Sequence, residues 1–236
     1  MTWDATEFRQ RVQDALDDFL DLQGQRMAPL GPDAERLLAE ARAAVSGGKR
    51  FRAAFCWWGH LAVAPAADEQ ALARACASLE LLHASALVHD DLMDASSTRR
   101  GRPTVHVEFA RMHAANGWSG PPARFGAAVA ILVGDLAQVW ADDMFHAAAL
   151  PEGAHTRAAE PWRAMRTEVL SGQYLDVLAQ ASGDVGSHGE AATQARQSLR
   201  FTWTAAMTVI VALGWVTLRT IDESFTFNVR NYTIAF

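Results

Sequence analysis

Lysine is almost missing from this chain. Lys49 is the only one in 236 residues, and every other basic side chain is Arg or His. Basic residues are also outnumbered, 21 Lys and Arg against 27 Asp and Glu, for a net charge of −6. That balance argues against nucleic-acid binding, which usually needs a basic face. Cysteine is scarce: Cys56 and Cys76 stand alone, without metal-type spacing, and read as two core thiols of a reducing, cytoplasmic setting. No run of alternating β-branched residues occurs until the last part of the chain, which excludes a sheet-based body. The first residues, Met1 to Glu7, are polar and acidic and do not read as a signal peptide.

What is present is helix-forming material. Half of the residues are hydrophobic, with abundant Ala, and Leu, Arg, Glu and Gln add helix propensity. The class expected is all-α, with long, mostly antiparallel helices. Apolar residues at helical spacing (Phe8, Val12, Ala15, Leu16, Phe19, Leu20) predict a helix from Trp3 to about Leu22. Gly24 to Pro32 reads as a loop, and Asp33 as the cap of a second helix ending at Val45. Ser46-Gly47-Gly48 breaks it. A third helix opens at Lys49-Arg50-Phe51-Arg52. A fourth, about Glu69 to Asp94, is apolar on nearly every side and so expected to be buried. A polar loop to Pro103, a short helix to about His113, a glycine- and proline-rich loop and a long helix from Arg124 to Leu150 follow. Another helix is expected from Pro161 to Gln180. No linker divides residues 1–200, which read as one domain.

Residues 201–236 read as a distinct, atypical tail. No charge occurs between Arg200 and Arg219. That window is long enough to raise a membrane span, but four threonines and Gly214 favour a buried helix. Beyond it, Phe225, Phe227 and Val229 alternate like a strand.

The chemistry concentrates at the end of the fourth helix. Asp90 and Asp94 are four apart and project about 40° from one another on one face, with Asp91 beside them. Three carboxylates in five residues repel one another unless a cation sits among them. Hard oxygen ligands suit Mg²⁺, which uses one or two carboxylates and leaves room for phosphate oxygens. Arg99 and Arg100 follow directly, and guanidinium forks match phosphate. Lys49 and Arg52 form a second basic pair behind Gly47-Gly48, where a phosphate-binding P-loop is excluded by spacing. His83 lies seven residues before Asp90, two turns back on the same face, whereas His89 points elsewhere and reads as a core residue. Together these residues suggest two anion sites facing one cavity, one bridged by Mg²⁺ and one direct.

Gly47-Gly48-Lys49-Arg50-Phe51-Arg52, Leu82-His83, His89-Asp90-Asp91-Leu92-Met93-Asp94 and Thr98 to His106 closely resemble the motifs of the trans-isoprenyl diphosphate synthases, the polyprenyl synthetases. Gly134-Asp135-Leu136 and Ser171 to Asp176 resemble that family's later motifs, in the same order. The resemblance covers roughly residues 30–200. It implies an all-α bundle around a deep central cavity, usually a homodimer, that joins isopentenyl diphosphate to an allylic diphosphate with release of pyrophosphate. It further implies that Asp90 and Asp94 ligate Mg²⁺ holding the allylic diphosphate, with Asp91 in support and Arg99 on the same diphosphate. Lys49, Arg52, His83 and Arg100 would hold isopentenyl diphosphate, and Gln173 and Asp176 would lie near the allylic site. Ser85 and Ala86, one turn before Asp90, would form the floor under the growing chain. Both are small, which resembles geranylgeranyl-type members.

The chain also departs from the family pattern. The second aspartate-rich motif, with its preceding Lys-Thr and Phe-Gln, is absent; after Arg200 the only acids are Asp222 and Glu223. A shortened or frame-altered synthase would give this pattern, as would a non-catalytic partner subunit that keeps the allylic site. A terpene cyclase is disfavoured because Lys49, Arg52 and His83 are all present. If Ser85 and Ala86 are the floor, Ser85→Phe and Ala86→Phe shorten the product made from a given allylic primer. Chromatography of the dephosphorylated products measures this, and unchanged chain length removes both residues from that role.

Overall fold

The computed structural model describes residues 4–62, 68–151 and 153–182. The expectations for the tail, including its helix and strand, lie outside these residues. The described chain is all-α apart from one two-residue hairpin. Helix α1 spans Ala5–Met27, α2 Pro32–Val45, α3 Phe51–Leu61 and α4 Glu69–Met93. Strands β1 (Thr98–Arg99) and β2 (Arg102–Pro103) follow, then α5 (Val105–Ala115), α6 (Pro122–His146) and α7 (Ala154–Ser182).

The element α4 is the centre. Asp68 caps it, its carboxylate accepting from the amides of Gln70 at 2.8 Å and Ala71 at 3.0 Å. Fourteen of its 25 residues are buried, because α6, α1, α3 and α2 all pack around it. Near its start, Leu72, Cys76, Leu79 and Leu81 share a core with Trp140, Met144, Phe145 and Trp162. Near its end, Val88 packs with Phe109, Val129, Ala130 and Val133. The low-numbered half of α4 therefore meets the high-numbered half of α6, so the two run antiparallel. Phe145 stacking on Trp162, centroids 4.6 Å apart, reverses direction again into α7. Cys56 and Cys76 are both free and buried. By length and composition α4 and α6 are apolar enough to cross a membrane, but the most apolar window of α4 is 72% buried within the bundle and that of α6 44%.

Several boundaries differ from those the sequence suggests. Helix α1 continues through Gly24 to Met27 and passes into a 3-10 turn at Ala28–Leu30. Gly24 is tolerated there because it gives Leu38 of α2 room: a Cβ at that position would lie 3.0 Å from the Leu38 side chain. Asp33 does not cap α2. Gly31, at φ 88°, is the cap position and Pro32 opens the helix, leaving Asp33 in the first turn. Helix α7 begins at Ala154, and Pro161 lies inside it instead of opening it. The flanking Ala158 and Trp162 are 0% and 2% exposed, and burying them outweighs the lost backbone hydrogen bond. Helix α6 starts two residues early and stops at His146.

Close backbone approach binds α5 to α6. A Cβ added to Gly126 would lie 2.0 Å from the carbonyl oxygen of His106, so the two helices must separate to admit it. Gly126→Ala is expected to destabilise the fold by about 1–3 kcal/mol, read as a lowered midpoint in urea unfolding.

Candidate functional site

The hairpin after α4 builds the first half of the site. Its two-residue turn, Arg100-Gly101, has φ of 52° and 77°, as a tight type I′ hairpin requires at both positions. Gly accommodates this freely, but a left-handed Arg is uncommon and held by its surroundings. Thr104 supplies part of that restraint: it is buried, its hydroxyl donates to Ser96 O at 2.7 Å and its amide to Ser97 O at 3.2 Å. Arg99 supplies the rest. Its Nε donates to both oxygens of Asp91 at 2.8 Å, and its Nη2 lies 2.7 Å from Asp91 Oδ1 and 3.4 Å from Asp90 Oδ2. Three acidic neighbours hold the guanidinium in its charged form, the hydrogen bonds from Asp91 most strongly.

Asp90 shares in this pairing only through the 3.4 Å contact with Nη2. Asp90 also accepts from Gln173 Nε2 of α7 at 3.3 Å. Its pKa is raised, first by burial and then by the negative charge of Asp94, against the opposing pull of Arg99. Asp94 is the residue after the last turn of α4, where the negative end of the helix dipole also favours a cation. Among the described residues no three His, Cys, Asp or Glu side chains form a ready-made metal cage. Two repelling carboxylates at a helix end instead fit a shared hard cation, one that takes its remaining ligands from water and a bound anion.

The second half gathers around His83. Burial, then the positive charges of Arg52, Arg100 and Arg99, push the imidazole pKa down from 6.5 to about 3. Arg52 is itself lowered by burial and by Arg100, and supported by Glu80. Arginines gathered around a neutral imidazole in this way can take up an anion. Lys49 stands apart: it is exposed, with its ammonium 5.6 Å from the centre of the Phe51 ring.

A cavity of about 470 Å³ joins α4, α6 and α7. Ser85 and Ala86 line it, with Gln173 at the aspartate end and Leu82, Val169 and Arg166 further along. Asp176 is engaged on its own helix, accepting from Gln180 at 2.8 Å. His89 departs from the core position expected of it. Its ring is half-buried, lines the cavity, and reaches Ile131 O at 3.3 Å and Asp135 Oδ1 at 3.4 Å. It fits only because position 134 is glycine: a Cβ there would lie 2.2 Å from His89 Nε2. The pairing of Gly134-Asp135 with His89 explains those residues as a wall contact.

Arg50 is a further structural residue that motif spacing alone does not mark. It opens α3 in a left-handed conformation, is 5% exposed, and donates to Glu80 at 3.0 Å, Gln13 at 2.5 Å and Val45 O at 2.5 Å. The signal for it was Glu80, a carboxylate inside the apolar run Leu79 to Leu82, which needs a buried cation.

The fold is an all-α bundle whose central helix carries a carboxylate cluster and a basic cluster beside an apolar cavity, reached from Asp90 through Gln173. The family model described as Polyprenyl synthetase matches residues 34–213, and the chain belongs to that family. Among solved structures it is similar to a geranylgeranyl pyrophosphate synthase from Corynebacterium glutamicum complexed with isoprenyl diphosphate and magnesium. The two share 34% identity over 90% of this chain and 61% of that one, with a TM-score of 0.80. It is 42% identical over 113 residues to a probable farnesyl diphosphate synthase of Sinorhizobium fredii, and 42% identical over 93 residues to a geranylgeranyl diphosphate synthase of Mycobacterium tuberculosis. These matches span 46% and 39% of this chain but only 28% and 21% of those relatives.

The His83 shift sets a pH dependence. The folded-state pKa lies below that of the unfolded chain, so unfolding takes up a proton below pH 6.5. Stability from neutral His83 is complete above pH 6.5 and is lost as pH falls toward 3. His83→Gln is expected to flatten the slope of unfolding free energy across that window, and inorganic pyrophosphate to raise the imidazole pKa in an NMR titration. An unchanged slope and an unmoved resonance contradict the cluster.

Proposed function

We propose that the protein is a Mg²⁺-dependent prenyltransferase that condenses isopentenyl diphosphate with an allylic diphosphate to give a longer polyprenyl diphosphate of the geranylgeranyl type. One observation carries this: Gln173, which lines the apolar cavity, is hydrogen-bonded to Asp90, while two turns back on the same helix His83 lies in the field of Arg52, Arg100 and Arg99. Asp90 and Asp94 would hold Mg²⁺ beside the allylic diphosphate. When bound, the ion neutralises charge that grows on the departing pyrophosphate. Asp91 keeps Arg99 charged and aimed at the same group, where its fork adds preorganised stabilisation. Gln173 fixes the Asp90 carboxylate, and Asp176 stands one turn further along α7.

His83, Arg52 and Arg100 hold the diphosphate of isopentenyl diphosphate, with Lys49 reaching in from the exposed end of the loop. The double bond of that substrate attacks the allylic cation, and a proton then leaves. Apolar walls keep water from that cation. Ser85 and Ala86, being small, let the hydrocarbon pass, which favours a longer product. The two thiols and the acidic surface suit the cytoplasm. A homodimer is supported by the exposed Ile131, Leu132 and Val139 on α6, an apolar stripe at helical spacing that a second copy would cover.

The second reading is a catalytically impaired or non-catalytic binding subunit. It is favoured by the acids after Arg200 being only Asp222 and Glu223, too few for a second aspartate-rich motif. On this reading residues 201–236 are an atypical tail on a domain of residues 1–200. Incubation of the chain with Mg²⁺, labelled isopentenyl diphosphate and allylic diphosphates of several lengths separates the two. Elongated product is expected, lost with a chelator and reduced about 10²–10³-fold by Asp90→Asn. Tight allylic binding without turnover establishes the second reading; no binding of either substrate refutes both.

A further inference from the structure

At the end of the cavity away from the aspartates the lining includes the charged Arg166. Arg166 precedes Gln173 by seven residues on α7, hence shares its face and lies about 10.5 Å further along the helix. Arg166 Nη1 donates to Asp142 Oδ1 of α6 at 2.6 Å. The indole nitrogen of Trp162 donates to the same oxygen at 2.7 Å, and the guanidinium lies 5.7 Å from the centre of that ring. Trp162 is itself fixed, buried and stacked on Phe145. His146 Nδ1 approaches the other carboxylate oxygen at 3.7 Å. Arg166 is thus anchored on one side while lining the cavity on the other. On the facing wall Leu82 stands eight residues before Asp90, about 12 Å deep by the same rise. Ser85 and Ala86 lie between, too small to block a hydrocarbon.

We propose that Arg166, held by Asp142 and Trp162, is the terminal stop of this cavity and sets the longest hydrocarbon chain it accommodates. The proposal rests on the reading of the cavity as a prenyl site. Each methylene buried against the walls above Arg166 adds affinity. A chain driven past it must displace the guanidinium from its carboxylate, leaving a partly buried charge without its partner. Gain therefore turns into cost at that level.

The test is calorimetric binding of unreactive n-alkyl diphosphates of increasing length to the full chain in Mg²⁺. For the unmodified protein, affinity is expected to rise with length and then stop rising. Arg166→Ala is expected to move that limit to longer chains, with at least about tenfold tighter binding of the first chain beyond it, since two buried methylenes suffice. Arg166→Met keeps much of the volume without the charge and guards against a variant that fails to fold. Extension of the limit by either variant supports the stop. Identical limits in all three proteins overturn it. If the unmodified protein shows no dependence on chain length, the prenyl-site reading falls, and the proposal with it.

Discussion

The site depends on one ion pair, Arg99 with Asp91. It removes the middle carboxylate of the cluster from the cavity and spends its charge on anchoring the hairpin. Two consequences follow from that single contact. Asp90 and Asp94 are left as a repelling pair that Arg99 offsets only through its 3.4 Å contact with Asp90, which is the condition for taking up a hard cation. The neighbouring Arg100, locked in a left-handed turn, then adds its charge to His83 and Arg52. Three adjacent charged residues, Asp90, Asp91 and Arg99, thus have different tasks because the hairpin folds back on the helix end.

The bundle serves this arrangement by making α4 a rigid, buried rod. Its start is sealed among aromatic and aliphatic side chains, and its end is the only part that carries a dense charge. Arg50 and Glu80 form a buried pair between the two halves, joining the α2–α3 loop to the middle of α4. Breaking such a pair by removing one partner typically costs about 3–5 kcal/mol. Arg52, two residues on from Arg50, is thereby held within the field of Glu80 and near His83. The second ionic cluster rests on this contact as the first rests on Arg99.

Much of this was legible from residue spacing. The aspartates on one face and His83 two turns behind them follow from helical periodicity, which a continuous buried helix preserves. The order of motifs also pointed to the family, and the fold agrees. Helix ends are less legible: α1 runs past Gly24 and α7 runs through Pro161, because tertiary burial overrides local preference at both places. Helical spacing alone puts His89 in the core, because its direction on α4 differs from that of Asp90. The close approach of α6 at Gly134, which no local rule contains, turned that side into a cavity wall.

The sequence by itself determined which charges exist and which of them share a helical face, because those depend only on spacing along one chain and a fixed helical repeat. It also determined the all-α class, since its composition and pattern left no alternating strands in the body. Tertiary structure decided which charges meet across elements. Asp90 with Gln173, Arg50 with Glu80 and Arg166 with Asp142 join residues 83, 30 and 24 positions apart. Such pairs depend on how whole helices pack, and packing is set by shape and burial summed over many side chains. No single stretch of sequence carries that sum.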